Sequence, residues 1–142
     1  MPSFYDPKKK CRVGTMDESQ FYAESGEATG SYFRGLITAW SKAGGVLKWG
    51  AGGVSLRGEI DGKEVSICFL APQFAGKQDR IELACTTLTK QIGPARASEL
   101  ENALRAAAGE QALGKTMISI VQPGALPPAG QKALTKAFLA LR

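Results

Sequence analysis

Apolar positions change period several times along this chain, and each change predicts an element. The clearest stretch runs from Val46 to Pro72. There, two β-prone runs that alternate apolar and polar residues flank Asp61-Gly62. Asp-Gly between such runs predicts a two-residue type I′ hairpin, because both central residues need positive φ. With that pair as the loop, Ile60 faces Lys63, Gly58 faces Val65, Leu56 faces Ile67 and Val54 faces Phe69. Val54, Leu56, Val65, Ile67 and Phe69 then share one face, and Ser55, Arg57, Ser66 and Cys68 share the other. Glu59 falls opposite Glu64, an unfavourable like-charge pair. Val46 to Trp49 and the turn Gly50-Ala51-Gly52-Gly53 supply a preceding strand, which completes a three-stranded meander.

Helical periods lie on both sides. Asp17 with Gln20 three residues on has the spacing of a capping box. From Ser31, the residues Phe33, Leu36, Ile37 and Trp40 make one apolar stripe, ended by Gly44-Gly45. This helix is expected to pack on the meander. From Arg80 to Leu88, Ile81, Leu83, Cys85 and Thr87 alternate and favour a fourth strand, although Ile81, Cys85, Leu88 and Ile92 also fit a helical stripe. Pro94 suits a first helical turn, Ala97, Leu100, Leu104 and Ala107 form the stripe behind it, and Gly109 suits its end. Met117 to Val121 is apolar on both faces and predicts a buried strand of the same sheet. Ala133, Leu134, Ala137, Phe138 and Leu141 mark a final helix. The pattern predicts one α+β domain over residues 17–142: an antiparallel-rich sheet of about five strands with helices mainly on one face. Residues 1–16 read as a basic, partly mobile arm. Lys8, Lys9, Lys10 and Arg12 follow Asp6-Pro7 there, a solvated terminus first and a phosphate-binding arm second.

Composition narrows the chemistry. The chain has 142 residues, 44% hydrophobic and 22% charged, enough apolar content for a real core. It has no histidine, which removes serine–histidine and cysteine–histidine catalysis and any histidine-containing zinc site. Cys11, Cys68 and Cys85 are far apart and odd in number, so reduced thiols in a cytoplasm are expected rather than a disulfide framework. No apolar run reaches the roughly 18 residues of a membrane span, and the first residues lack a secretory pattern. A net charge of +5 is compatible with a weak anionic partner or nucleic acid without specifying one.

Several motifs imitate active sites. Gly109 to Thr116 spells GxxxxGK[ST], but a phosphate loop needs a strand before it and a helix after it. Here an Ala-rich helix precedes and a β-branched strand follows, and no Asp or Glu occurs after Glu110 to hold Mg²⁺. Gly50 to Gly53 leads into a strand, so it lacks a dinucleotide-binding context. Trp49 is a candidate stacking platform beside Lys48 and Arg57, and Lys132 and Lys136 share a helix face. These five residues form the candidate ligand or partner surface. No catalytic residue, metal ligand or cofactor is assigned. The expected function is a non-catalytic binding or protein-interaction module, with self-association as one use. The alternatives are an enzyme whose pocket is assembled from distant residues, or a weak, non-specific nucleic-acid binder.

Overall fold

The structure, a computed structural model, describes residues 1–141. A six-stranded antiparallel sheet is built from β3 (Val46–Trp49), β4 (Val54–Ile60), β5 (Lys63–Ala71), β6 (Arg80–Ala84), β7 (Ala112–Leu113) and β8 (Met117–Val121), in the order β3-β4-β5-β6-β8-β7. β1 (Phe4–Asp6) and β2 (Cys11–Val13) pair as a separate two-stranded hairpin. The helices are α1 (Glu18–Glu24), α2 (Glu27–Lys42), α3 (Cys85–Ile92), α4 (Pro94–Ala108) and α5 (Pro128–Leu139). The fold is therefore α+β, as the periods predict.

The hairpin turn is as expected near its tip. Asp61 and Gly62 have φ of 53° and 80°, and Ile60 pairs Lys63 while Gly58 pairs Val65. Glu59 does face Glu64, but the Glu64 carboxylate lies 3.1 Å from Arg57 Nε, which offsets the repulsion. The Nε–H is not aligned for a hydrogen bond, so the contact is an ion pair at a half-exposed site.

Beyond Arg57 the expected register fails. A β-bulge lies between Leu56 and Arg57, so Leu56 pairs Cys68, Ser55 pairs Phe69 and Val54 pairs Leu70. The extra residue on β5 leaves both Ile67 and Cys68 buried, and Leu70 rather than Phe69 takes the core position. Phe69 is turned onto the opposite face, where it is only partly covered.

Two other elements depart from the sequence pattern. Residues 80–92 satisfy both periods because they are both: β6 ends at Ala84 and α3 begins at Cys85, burying Cys85, Leu88 and Ile92. β8 is buried on one face only, with Met117 49% exposed, because the helices cover a single side of its sheet. α2 starts at Glu27, before Ser31, with the backbone N–H of Gly26 donating to Asp79 Oδ2 (2.9 Å).

One continuous core joins the inner sheet face to α2, α4 and α5. Trp40, Phe33, Leu36, Leu56, Leu70, Ile118, Leu134 and Phe138 are all within it. Trp40 Nε1 donates to the Arg57 carbonyl (2.9 Å), so its one polar atom is satisfied on burial. The outer face carries the cross-strand row Lys48, Ser55, Phe69, Glu82 and Ser119.

The first sixteen residues lie against the body. Met16 is fully buried, its N–H donates to the Gly50 carbonyl (2.9 Å), and the Ser3 hydroxyl bonds the Ala51 carbonyl. Gly53 makes this glycine turn tight: its φ is 151°, and a Cβ there would meet the Leu70 carbonyl oxygen at 2.0 Å.

Candidate functional site

Two hairpins enclose a cavity of about 410 Å³ at the end of the outer sheet face. The first is β1–β2. Asp6 Oδ1 accepts the Lys8 N–H (2.9 Å), an Asx-type turn that sends the chain through Lys8, Lys9 and Lys10 before β2 begins. Its pairing sets Tyr5 opposite Arg12. The second is a tight reversal between β5 and β6. Phe74 and Lys77 exchange both backbone hydrogen bonds (3.1 and 2.9 Å), around Ala75 and Gly76 at φ 49° and 82°. Each hairpin therefore sets an aromatic ring across from a cation, and all four side chains line the same cavity.

The rings meet, with Tyr5 and Phe74 centroids 6.1 Å apart and tilted by 42°. Arg12 fastens the first hairpin to the body. Its guanidinium holds Glu24 in two bonds of 2.7 and 3.0 Å, its Nε donates to Ser3 Oγ (2.9 Å), and it lies 4.4 Å from the Phe74 ring centroid. The Arg12 hydrogen bonds hold the Glu24 carboxyl below the usual carboxylate range against the opposing effect of burial, and Gln20 adds to the lowering. Arg80 is occupied similarly by Glu82 (3.1 Å).

The lysines are different. Lys8, Lys9, Lys10 and Lys77 are exposed and have no ion-pair partner among the described residues. Lys10 and Lys77 line the cavity, with Arg12 and Arg80 behind them and no carboxylate in the wall. Such a site can hold an anion, and its rings can lie against a flat group.

The five sequence candidates do not converge. Lys48 and Arg57 both project to the outer face, one strand apart. Trp49 projects to the inner side, half-buried, and packs edge-to-face on Phe21 with centroids 5.5 Å apart. Lys132 and Lys136 are on α5; Lys136 lines a groove of about 830 Å³ between α4, α5 and the β4–β5 tip. Six alanines contribute to that groove's wall, and Glu59, Asp61 and Glu99 are exposed on its rim. The phosphate-loop string runs from the end of α4 through β7 to a turn before β8, so a strand and not a helix directly follows it. Among the described residues no three His, Cys, Asp or Glu side chains are grouped to hold a metal ion. Burial pushes the Cys68 thiol up, and burial with Glu101 beside it pushes Cys85 up to about 11. Neither is a thiolate near neutrality.

None of Tyr5, Lys10, Phe74 and Lys77 is among those five, because about sixty residues separate the two hairpins. One local signal does exist: Ala75-Gly76 between Phe74 and Lys77 fits a two-residue reversal. No family model matches the chain, and no curated protein or solved structure matches it either.

Proposed function

We propose that the protein is a non-catalytic binding module that takes a phosphate-bearing ligand in the hairpin cavity. One observation carries this reading: two hairpins, distant in sequence, each bring an aromatic–cation pair to one cavity whose wall holds no carboxylate. Its volume of about 410 Å³ lies within the range of small-ligand sites, about 300–1,000 Å³. Lys10 and Lys77 supply mobile point charges, and Tyr5 and Phe74 supply a ring surface. The same cavity offers no imidazole and no carboxylate as a general base, so it is suited to holding charge rather than moving protons. The three cysteines are free and two are buried, which supports a reducing, cytoplasmic setting for this module. No helix among the described residues is long and apolar enough to cross a membrane.

Calorimetric titration with pyrophosphate and with a nucleoside monophosphate at low salt tests the reading. Saturable binding should weaken about tenfold or more in the Lys10→Gln/Lys77→Gln variant, since both lysines are exposed and their loss leaves packing intact. Equal binding by wild type and variant, or no binding by wild type, defeats it.

A second reading, a protein-interaction module, rests on the α4–α5 groove of about 830 Å³. Its test is sedimentation of the wild type against Ala106→Trp, which fills the groove. A concentration-dependent dimer lost in the variant would support that reading.

A further inference from the structure

We infer that the ligand of the hairpin cavity is single-stranded nucleic acid, with one base against Tyr5 and Phe74 and the strand continuing over Phe69 on the open sheet face. This rests on the binding reading above and specifies its ligand class.

The first ground is the spread of charge. Lys8, Lys9 and Lys10 are consecutive on a hairpin tip, and Lys77 stands on the facing turn. The three lie in a turn, so their side chains fan out from one tip, and Lys77 adds a fourth charge from the other side of the cavity. Glu24 is paired with Arg12 and Glu82 with Arg80, which leaves Asp6, bonded to the Lys8 N–H, as the one carboxylate on the first hairpin against its three lysines. Four exposed lysines on two turns, none with an ion-pair partner among the described residues, suit several phosphates better than one isolated anion.

The second ground is the rings. Tyr5 is 48% exposed, and Phe74 is partly so. Bases can stack on such rings only when they are not already stacked and paired in a duplex, so the geometry selects a single strand.

The third ground is continuity. Gly52 lines the cavity and borders Phe69, whose ring tip lies 3.6 Å from where a Cβ on Gly52 would be. A bare residue therefore separates the cavity from the next ring. The register places Lys48, Ser55 and Phe69 side by side on successive strands. At about 4.8 Å per strand, Lys48 is roughly 10 Å beyond Phe69, placed to meet the phosphate of a second stacked nucleotide.

Fluorescence anisotropy with a labelled thymidine dinucleotide, an octanucleotide and a duplex of equal length tests this. The octanucleotide should bind about tenfold or more tighter than the dinucleotide, and tighter than the duplex. Its affinity should fall with salt at a log–log slope of about −2 to −3, as for three or four phosphate contacts to a single strand. Phe69→Ala and the exposed Lys48→Glu should each weaken the octanucleotide several-fold and the dinucleotide by less; Lys48→Glu retains the test if Phe69→Ala proves unstable. Equal affinity for both lengths, or a duplex that binds as well, overturns the inference. If the dinucleotide binds and is lost in Lys10→Gln/Lys77→Gln while length adds nothing, the phosphate-binding reading stands and only this inference fails. If no phosphate-bearing probe binds, both fail.

Discussion

Replacing Arg12 by alanine should release the first hairpin without unfolding the domain. Arg12 makes two charged bonds to Glu24, one bond to Ser3 and a face contact with Phe74, and its side chain is 11% exposed. Charge-assisted hydrogen bonds contribute about 1.5–3 kcal/mol net and a cation–π contact about 0.5–2 kcal/mol. The low ends are appropriate, because Glu24 is 27% exposed and Gln20 Nε2 still donates to it at 2.7 Å after the change. With the two bonds to Glu24 counted as one charged contact, a loss of about 2–3 kcal/mol follows, or roughly 30- to 150-fold in a local opening equilibrium. A two-stranded hairpin has little stability of its own, so the loss falls on β1–β2. Hydrogen exchange read by mass spectrometry separates local from global opening. Peptides covering residues 4–13 should exchange at least tenfold faster, while those covering β4 and β5 should not change. Acid should reproduce part of this in the wild type. The folded Glu24 carboxyl is held below its unfolded value near 4.3, so its contribution is complete above that pH and is lost as pH falls through the folded value. The Arg12→Ala protein should lose most of this acid dependence, with only the Gln20 bond left to lower the carboxyl. Unchanged exchange in the hairpin, or equal acceleration in β4 and β5, would refute the assignment of Arg12 as the fastener.

Four further outcomes are expected. Gly62→Val should destabilise the domain by about 1–3 kcal/mol, because Gly62 has φ 80° and a β-branched residue resists it; an unchanged urea midpoint would contradict the turn. Ala75→Gly should raise stability by about 0.5–1 kcal/mol, the left-handed penalty of about 1–2 kcal/mol less the added chain entropy of about 0.4–1 kcal/mol; a lower midpoint would contradict the φ of 49°. Lys115→Ala should change stability by less than about 1 kcal/mol and leave any Mg²⁺–ATP binding unchanged; saturable binding lost in the variant would reinstate the phosphate-loop string. Iodoacetamide should label Cys11 in the native protein and label Cys68 and Cys85 only in denaturant; native labelling at Cys68 would contradict its burial.

Sequence legibility followed how local each cause is. Asp61-Gly62 specifies its turn through its own backbone preferences, so the tip register was readable. The bulge was not, because Ile67, Cys68, Phe69 and Leu70 are all apolar and a shift of one residue leaves no mark on the pattern. The change from β6 to α3 was hidden for a related reason: Ile81 and Cys85 satisfy a period of two and a period of four at once. β1 and β2 are three residues each and have no fully buried residue, so they carry no burial alternation. Asp17 did mark a helix start, but Gln20 does not turn back to it; its side chain bonds Ser3 and Glu24 instead. The cavity depends on tertiary placement of two short reversals, and only their turn residues are local. Lys48, Arg57 and Trp49 looked like one surface in the sequence, yet strand alternation sends Trp49 to the other face from Lys48.

The most direct test of the account is a map of amide-resonance shifts during titration with the thymidine dinucleotide. Binding at the hairpin cavity predicts saturable shifts concentrated at residues 4–13 and 72–80, near Gly52, and little change along α4 and α5. Shifts centred on the α4–α5 groove, or none at saturating ligand, would contradict it.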